Sequence, residues 1–240
     1  MTRTIRMPAA ARWTRLERAT FMVALIIAGE AVFSLPFHVA RFFRPTVLDV
    51  LGLTNTELGA AQAVYGVVAM LAYFPGGPLA DRFSARGLLT VSLLATSIGG
   101  LYFVSFPPLR GLSLLFGVWG LTTILLFWAA LIRATREWGG ERKQGRAFGI
   151  LDGGRGLFAA VLAAAAVALF QALMPEDPVA ASDAMRARAL RGVIYMYTGV
   201  TAGAGVLCWL FVPERSESLR PGDSLWKHIG GVTRLRKVWL

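Results

Sequence analysis

Leu58 to Gly100 reads LGAAQAVYGVVAMLAYFPGGPLADRFSARGLLTVSLLATSIGG, and its reading decides the fold. Two apolar runs, 58–80 and 88–100, contain no charged residue. At their junction lies the short stretch Gly76 to Arg86, holding Asp81, Arg82 and Arg86. An α-helix needs about 20 apolar residues to cross about 30 Å of hydrocarbon. The first run is long enough, so the junction reads as a turn between two membrane-crossing helices.

The same pattern extends over the chain. Of 240 residues, 55% are hydrophobic, and mean hydropathy is +0.56. A soluble domain is typically about 45–50% apolar. Six spans are expected: Thr20 to Arg41, Leu58 to Ala80, Leu88 to Phe106, Leu112 to Ile132, Arg146 to Met174, and Gly192 to Val212. Pro107-Pro108 closes the third and Pro213 the sixth. The fold class is therefore all-α, a polytopic membrane protein. Residues 1–19 form an N-terminal segment, 20–213 the transmembrane domain, and 214–240 a tail. The first apolar run is too long for a signal-peptide core and has no small-residue cleavage pattern, which predicts a retained span.

Net charge is +11. In a soluble chain that would suggest nucleic acid, but here the charge lies in the loops. Eighteen of the 25 Lys and Arg residues fall on the N-terminal segment, the turns 82–86 and 133–146, and the tail; six fall on the other side, and Arg155 lies inside a span. Basic loops stay on the cytoplasmic side, so both termini are expected there. In the tail, Trp226, Ile229, Val232, Leu235 and Val238 recur at steps of three. Two readings stand: a helix lying on anionic lipid, or a linker into a further span.

Chemistry within the spans narrows the function. Glu30 lies near the middle of span one, and Arg155 about 14 Å into span five at 1.5 Å per residue. An ionisable group at mid-membrane costs at least about 2.5–3.5 kcal/mol and usually faces a cavity. Asp152, three residues before Arg155, can pair with it. On span one, Glu30, Ser34, His38 and Arg41 form one stripe of a 3.6-residue helix. The alternatives are a structural ion pair for Glu30 and Arg155, and interface anchoring for His38 and Arg41. Trp119, Phe127 and Trp128 on span four either pack or line a site. Gly145, Gly149 and Gly153, at four-residue steps, suit close helix packing. Nothing points to an enzyme: there is no His-Glu-x-x-His, no cysteine pair and no nucleophile elbow. Two histidines and the lone Cys208 make a metal centre improbable. No cofactor is expected.

At the junction, Gly76 and Gly77 would let another helix approach. Asp81 sits at a helix C-terminus, where the dipole disfavours it. It therefore needs Arg82, Arg86 or the N-terminus of another helix. A contact that forms in one conformation and breaks in another is a gate; a solvated turn is the plainer reading.

The run Gly77-Pro-Leu-Ala-Asp81-Arg82, with Arg86 after it, resembles the signature loop between helices two and three of the major facilitator superfamily. Ser84 stands where that family usually has glycine, and Ala85 where it usually has a basic residue. The resemblance implies half of a twelve-helix transporter built of inverted three-helix repeats. Arg-x-x-Arg at Arg41 and Arg44, and again at Arg133 and Arg136, is in keeping with such a repeat. Arg41, followed by Phe42 and Phe43, also resembles organophosphate:phosphate exchangers. The implied function is alternating-access movement of a small solute in a bacterial inner membrane, coupled to a proton or counter-substrate. Its partners would be membrane lipids and a second six-helix half. Arg155 and Arg41 suggest an anionic solute, with His38 and Trp128 in the same site. Glu30 is the candidate proton-coupling carboxylate, since a carboxyl in a water-poor cavity can take up a proton; Asp152 accompanies it. Gly77, Asp81, Arg82 and Arg86 form the gate. The competing reading is a six-span sensor, assembly or regulatory protein with no transport of its own.

Overall fold

The computed structural model describes residues 13–175 and 181–214. Among these, six helices are long and apolar enough to cross a membrane: Arg15–Phe42, Asn55–Arg82, Ala85–Phe103, Leu109–Gly139, Gln144–Leu173 and Asp183–Phe211, here spans one to six. No strand occurs among the described residues. The tail expected to be amphipathic, 224–240, lies outside them.

Most spans begin earlier than hydropathy alone predicts, because polar caps extend them. Thr14 caps span one and Thr54 caps span two, each in a reciprocal box with Glu17 or Glu57. Ser182 caps span six by accepting from the Met185 amide, so the polar turn with Arg186, Arg188 and Arg191 is helical and the span starts nine residues before Gly192. A short helix, Arg44–Leu51, follows span one, and Arg186 reaches its Asp49 at 3.7 Å. Between spans three and four, Phe106 adopts φ 52°, an unusual backbone for a bulky residue, just before Pro107-Pro108.

Spans three and six pack together, as do two and four, while span one lies against five and six. Small residues set the closest approaches. A Cβ on Gly120 would lie 2.9 Å from the Tyr65 carbonyl oxygen, so spans two and four touch backbone to backbone. The interior is two apolar layers. One holds Leu35, Phe43, Leu112, Trp119 and Tyr197; the other, nearer the turn 82–85, holds Phe21, Leu25, Leu89, Phe127 and Leu151.

Spans one and four are each interrupted by a π-helical segment, Ser34–His38 and Leu121–Trp128. In span one the cause is Pro36. It has no N–H to give and its ring excludes the ordinary carbonyl partner. Nearby, the Ala31 carbonyl, which the Ser34 amide also reaches, accepts from Ser34 Oγ at 2.7 Å and from Thr201 Oγ1 of span six at 2.9 Å. In span four, Ser92 Oγ of span three donates to the Thr122 carbonyl at 2.6 Å, and Tyr65 of span two meets Thr123 Oγ1 at 2.7 Å. Interruptions in the first helix of each three-helix unit follow the expected repeat more closely than the Arg-x-x-Arg pairs. Arg44 starts a new helix after the break at Phe43, whereas Arg133 and Arg136 lie within one.

Span five stands apart. Only 11% of its apolar window is buried, against 61% for spans one and four. The close packing expected along Gly145, Gly149 and Gly153 is not formed among the described residues; a Cβ at each would meet nothing within 4 Å. Its contact with span one is instead made at Gly154, against Ile26.

Candidate functional site

Four ionisable groups from spans one and five converge. His38 Nε2 lies 3.1 Å from Glu30 Oε1. The Arg155 guanidinium lies 3.6 Å from Glu30 Oε2 and 3.4 Å from Asp152 Oδ1. Phe33 and Trp128 flank that guanidinium, their ring centroids at 6.0 and 5.9 Å from Cζ. Glu30 is 12% exposed and Arg155 20%, whereas Asp152 is 67% exposed. The cluster is therefore a sheltered Glu30–His38–Arg155 group with Asp152 at its open edge.

Two features of the backbone build it. On an unbroken helix, His38 would stand about 12 Å beyond Glu30 at 1.5 Å per residue. The π-helical turn brings the two side chains within hydrogen-bond range. Such a turn takes up an extra residue, rotating the remainder of the helix by about 100°. Arg41 consequently leaves the stripe that a regular helix predicts. It is exposed, 5.6 Å from the Phe42 ring, and makes no ion pair among the described residues. The second feature is Gly29. A Cβ there would sit 2.9 Å from Arg155 Cδ, so the arginine stem lies on bare backbone. Gly29 is a residue that sequence reasoning missed. Its one available signal is adjacency to Glu30.

Arg155 is held without being saturated. Charge-assisted N–H···O bonds run about 2.7–2.9 Å, and both its pairings are longer. Its Nε is buried with no hydrogen-bond partner among the described residues. His38 Nδ1 and Tyr197 Oη are likewise buried and unpartnered, their rings 5.9 Å apart. A second anionic oxygen would be the natural complement of such a guanidinium.

The turn 82–85 forms a separate region. Span two runs unbroken through Pro75 and Pro78 to Arg82, and Ser84 caps span three by accepting from Gly87. A Cβ on Gly76 would lie 3.4 Å from the Leu125 carbonyl of span four; Gly77 faces open space. The close approach expected of both glycines is made by Gly76 alone. Asp81 and Arg82 are exposed, and Asp81 makes no ion pair among the described residues. Arg86 pairs with Glu214 and lies 4.6 Å from the Trp209 ring. The end of span two is held instead by Arg133 of span four, which donates to the Ala80 carbonyl at 2.6 Å and the Phe83 carbonyl at 3.4 Å.

No group of three potential metal ligands occurs among the described residues. These features define a polytopic helical membrane protein with a charged cluster inside its bundle. Residues 19–239 match the family model of the Major Facilitator Superfamily, and the chain belongs to that family of transporters. It is 29% identical to Inner membrane protein YqcE of Escherichia coli (strain K12) over 234 residues, 95% of this chain and 51% of that protein. It is 30% identical to Inner membrane protein YihN of the same organism over 157 residues, 65% of this chain and 37% of that protein. An uncharacterized MG294 homolog of Mycoplasma pneumoniae is 25% identical over 239 residues, 91% of this chain and 50% of that protein. The chain thus spans about half the length, or less, of these relatives. No solved structure matches it.

Proposed function

We propose that this chain supplies one six-helix half of a secondary transporter that moves a small anionic solute by alternating access. It would sit in a bacterial inner membrane with both termini cytoplasmic. Family membership, the names of the Escherichia coli relatives and the distribution of basic residues support that placement. The solute site lies between two such halves in this class of transporter, and the uncovered face of span five is where the other half would meet this one.

The observation that carries the anionic reading is the state of Arg155. A guanidinium does not deprotonate. This one is sheltered inside the bundle, its two carboxylate contacts are long, and Nε has no partner among the described residues. An incoming carboxylate, sulfonate or phosphate would satisfy it in bidentate geometry, with Trp128 and Phe33 as walls. Arg41, at the exposed end of span one, would attract the anion on approach. Glu30 would take part in the proton coupling, with Asp152 beside it at the open edge, and Gly77, Asp81, Arg82 and Arg86 would form the gate, with the partner of Asp81 lying in the second half.

The test is Arg155→Lys in the assembled transporter. Lysine keeps the charge and loses the fork. Anion uptake into proteoliposomes falls at least about tenfold, roughly 1.4 kcal/mol, while membrane insertion is unchanged. Near-normal anion uptake by the variant, or a cationic solute, removes Arg155 from the site.

A further inference from the structure

We infer that His38 is the group that makes anion binding proton-dependent, by drawing Glu30 away from Arg155. The inference rests on the anionic reading of Arg155 and adds the means of coupling.

The geometry is asymmetric. Glu30 has one close partner, His38 Nε2 at 3.1 Å, and one loose partner, Arg155 at 3.6 Å. The carboxylate is thus already displaced toward the histidine. His38 can hold it in two ways. As a neutral ring it donates one hydrogen bond from Nε2, leaving Nδ1 as an acceptor. As a cation it holds Glu30 as a full ion pair. Its Nδ1 is buried and unpartnered among the described residues, so no donor there competes for the position, and a proton on it would need water or the solute as acceptor.

The charges around the site give the sign. Glu30 lies on the same span as His38, Arg155 and Asp152 come from span five, and Tyr197 comes from span six. Span three also packs against the π-helical turn of span one and carries no charged residue from Leu88 to Phe103, and Arg41, three residues on from His38, is exposed. With His38 neutral, two carboxylates face one guanidinium, so the cluster carries one net negative charge. An anion entering there meets Glu30 as a competitor for the same donors. With His38 protonated the cluster is neutral, and Glu30 has a cation of its own. Arg155 is then free for the solute's anionic group. Protonation and anion binding favour each other, and by linkage each strengthens the other equally. Histidine is the side chain whose ordinary titration falls in the physiological range. The expected stoichiometry is one proton taken up per anion bound. Nothing covalent forms; the proton comes from water and rests on Nδ1.

The test uses the assembled transporter, this chain together with its second six-helix half, in detergent micelles, with sulfate and acetate as probes, since neither takes up a proton between about pH 6 and 8. Binding is followed by titration calorimetry in buffers of different ionisation enthalpy, which counts protons. At least one probe is expected to bind about tenfold or more tightly at pH 6 than at pH 8, with about one proton taken up. His38→Gln keeps a neutral hydrogen bond to Glu30 and cannot charge. Its affinity should vary less than about twofold over that range, with no proton uptake. Glu30→Gln guards against a merely structural effect. Removing the competing carboxylate should raise affinity at pH 8 toward the wild-type value at pH 6, a gain that a damaged fold would not give. Arg155-dependent binding with the same affinity at both pH values overturns the role of His38 and leaves the anionic reading standing. So does a Glu30→Gln protein that binds no better at pH 8. Absence of binding by both probes, or binding untouched by Arg155→Lys, overturns the anionic reading itself.

Discussion

Gly29 has no side chain, and the stem of Arg155 lies where one would be. A methyl group there would come within 2.9 Å of Arg155 Cδ. The opposing atom belongs to a flexible side chain, so Gly29→Ala should displace the arginine and spare the helix. Alanine is also the better helix former. The expected outcome is a protein that inserts and melts like the wild type, yet binds its anion at least about threefold more weakly, because misplacing a charged group by part of an ångström weakens a fork-shaped contact. Binding measured beside thermal unfolding separates the two effects. Equal affinity in the variant would show that the arginine has room to adjust. At this scale the sequence disclosed the charges but not their arrangement. Glu30, His38, Asp152 and Arg155 are all visible as polar residues in apolar runs. That Glu30 is shared between His38 and Arg155 depends on the packing of span five against span one.

At the scale of an element, the clearest departure from a regular helix is Ser34–His38. Pro36 is the sequence signal, and Ser34 and Thr201 supply the hydroxyls that make the break tolerable. Pro36→Ala restores an N–H and removes the reason for the wide turn. The expected result is a more regular span one in which His38 loses Glu30. The proton dependence of anion binding should then flatten as it does in His38→Gln, with insertion preserved. Retention of the full pH dependence would show that the turn is held by its neighbours instead of by proline. The end of span two offers a second contrast. Asp81 is exposed with no ion pair among the described residues, while Arg133 holds two backbone carbonyls there. Arg133→Gln should destabilise the isolated chain by about 1 kcal/mol, reflecting lost charged hydrogen bonds at a partly exposed site. Asp81→Asn should change its stability by less than about 0.5 kcal/mol, as surface changes usually do. Thermal or denaturant unfolding in micelles compares the pair directly. A larger loss for Asp81→Asn would mean that the aspartate has a structural role inside this half.

For the whole molecule, span five is the uncovered element. Gly145, Gly149 and Gly153 lie in open space although their spacing is that of a packing seam. If the seam meets a second six-helix half, Gly149→Leu should leave insertion and stability of this chain within about 0.5 kcal/mol of wild type. It should nonetheless block association with that half, read by co-purification of the two. Unimpaired association would assign the stripe to lipid. The number of spans, their order and the turn after the second were legible in the sequence, because crossing hydrocarbon demands a long uncharged helix wherever the chain stands. The resemblance to the family rested on the same turn, through the run Gly77-Pro-Leu-Ala-Asp81-Arg82 with Arg86 after it, and the family match over residues 19–239 agrees with it. Periodicity misplaced Arg41, because it assumes every turn has 3.6 residues and span one contains a wider one. It also placed a packing seam on span five that the described residues do not use. The sheltered cluster, the seat for Arg155 on Gly29 and the open face of span five were decided by tertiary structure. Each depends on which helices lie side by side, and hydropathy, which records only distance from water, does not encode that adjacency.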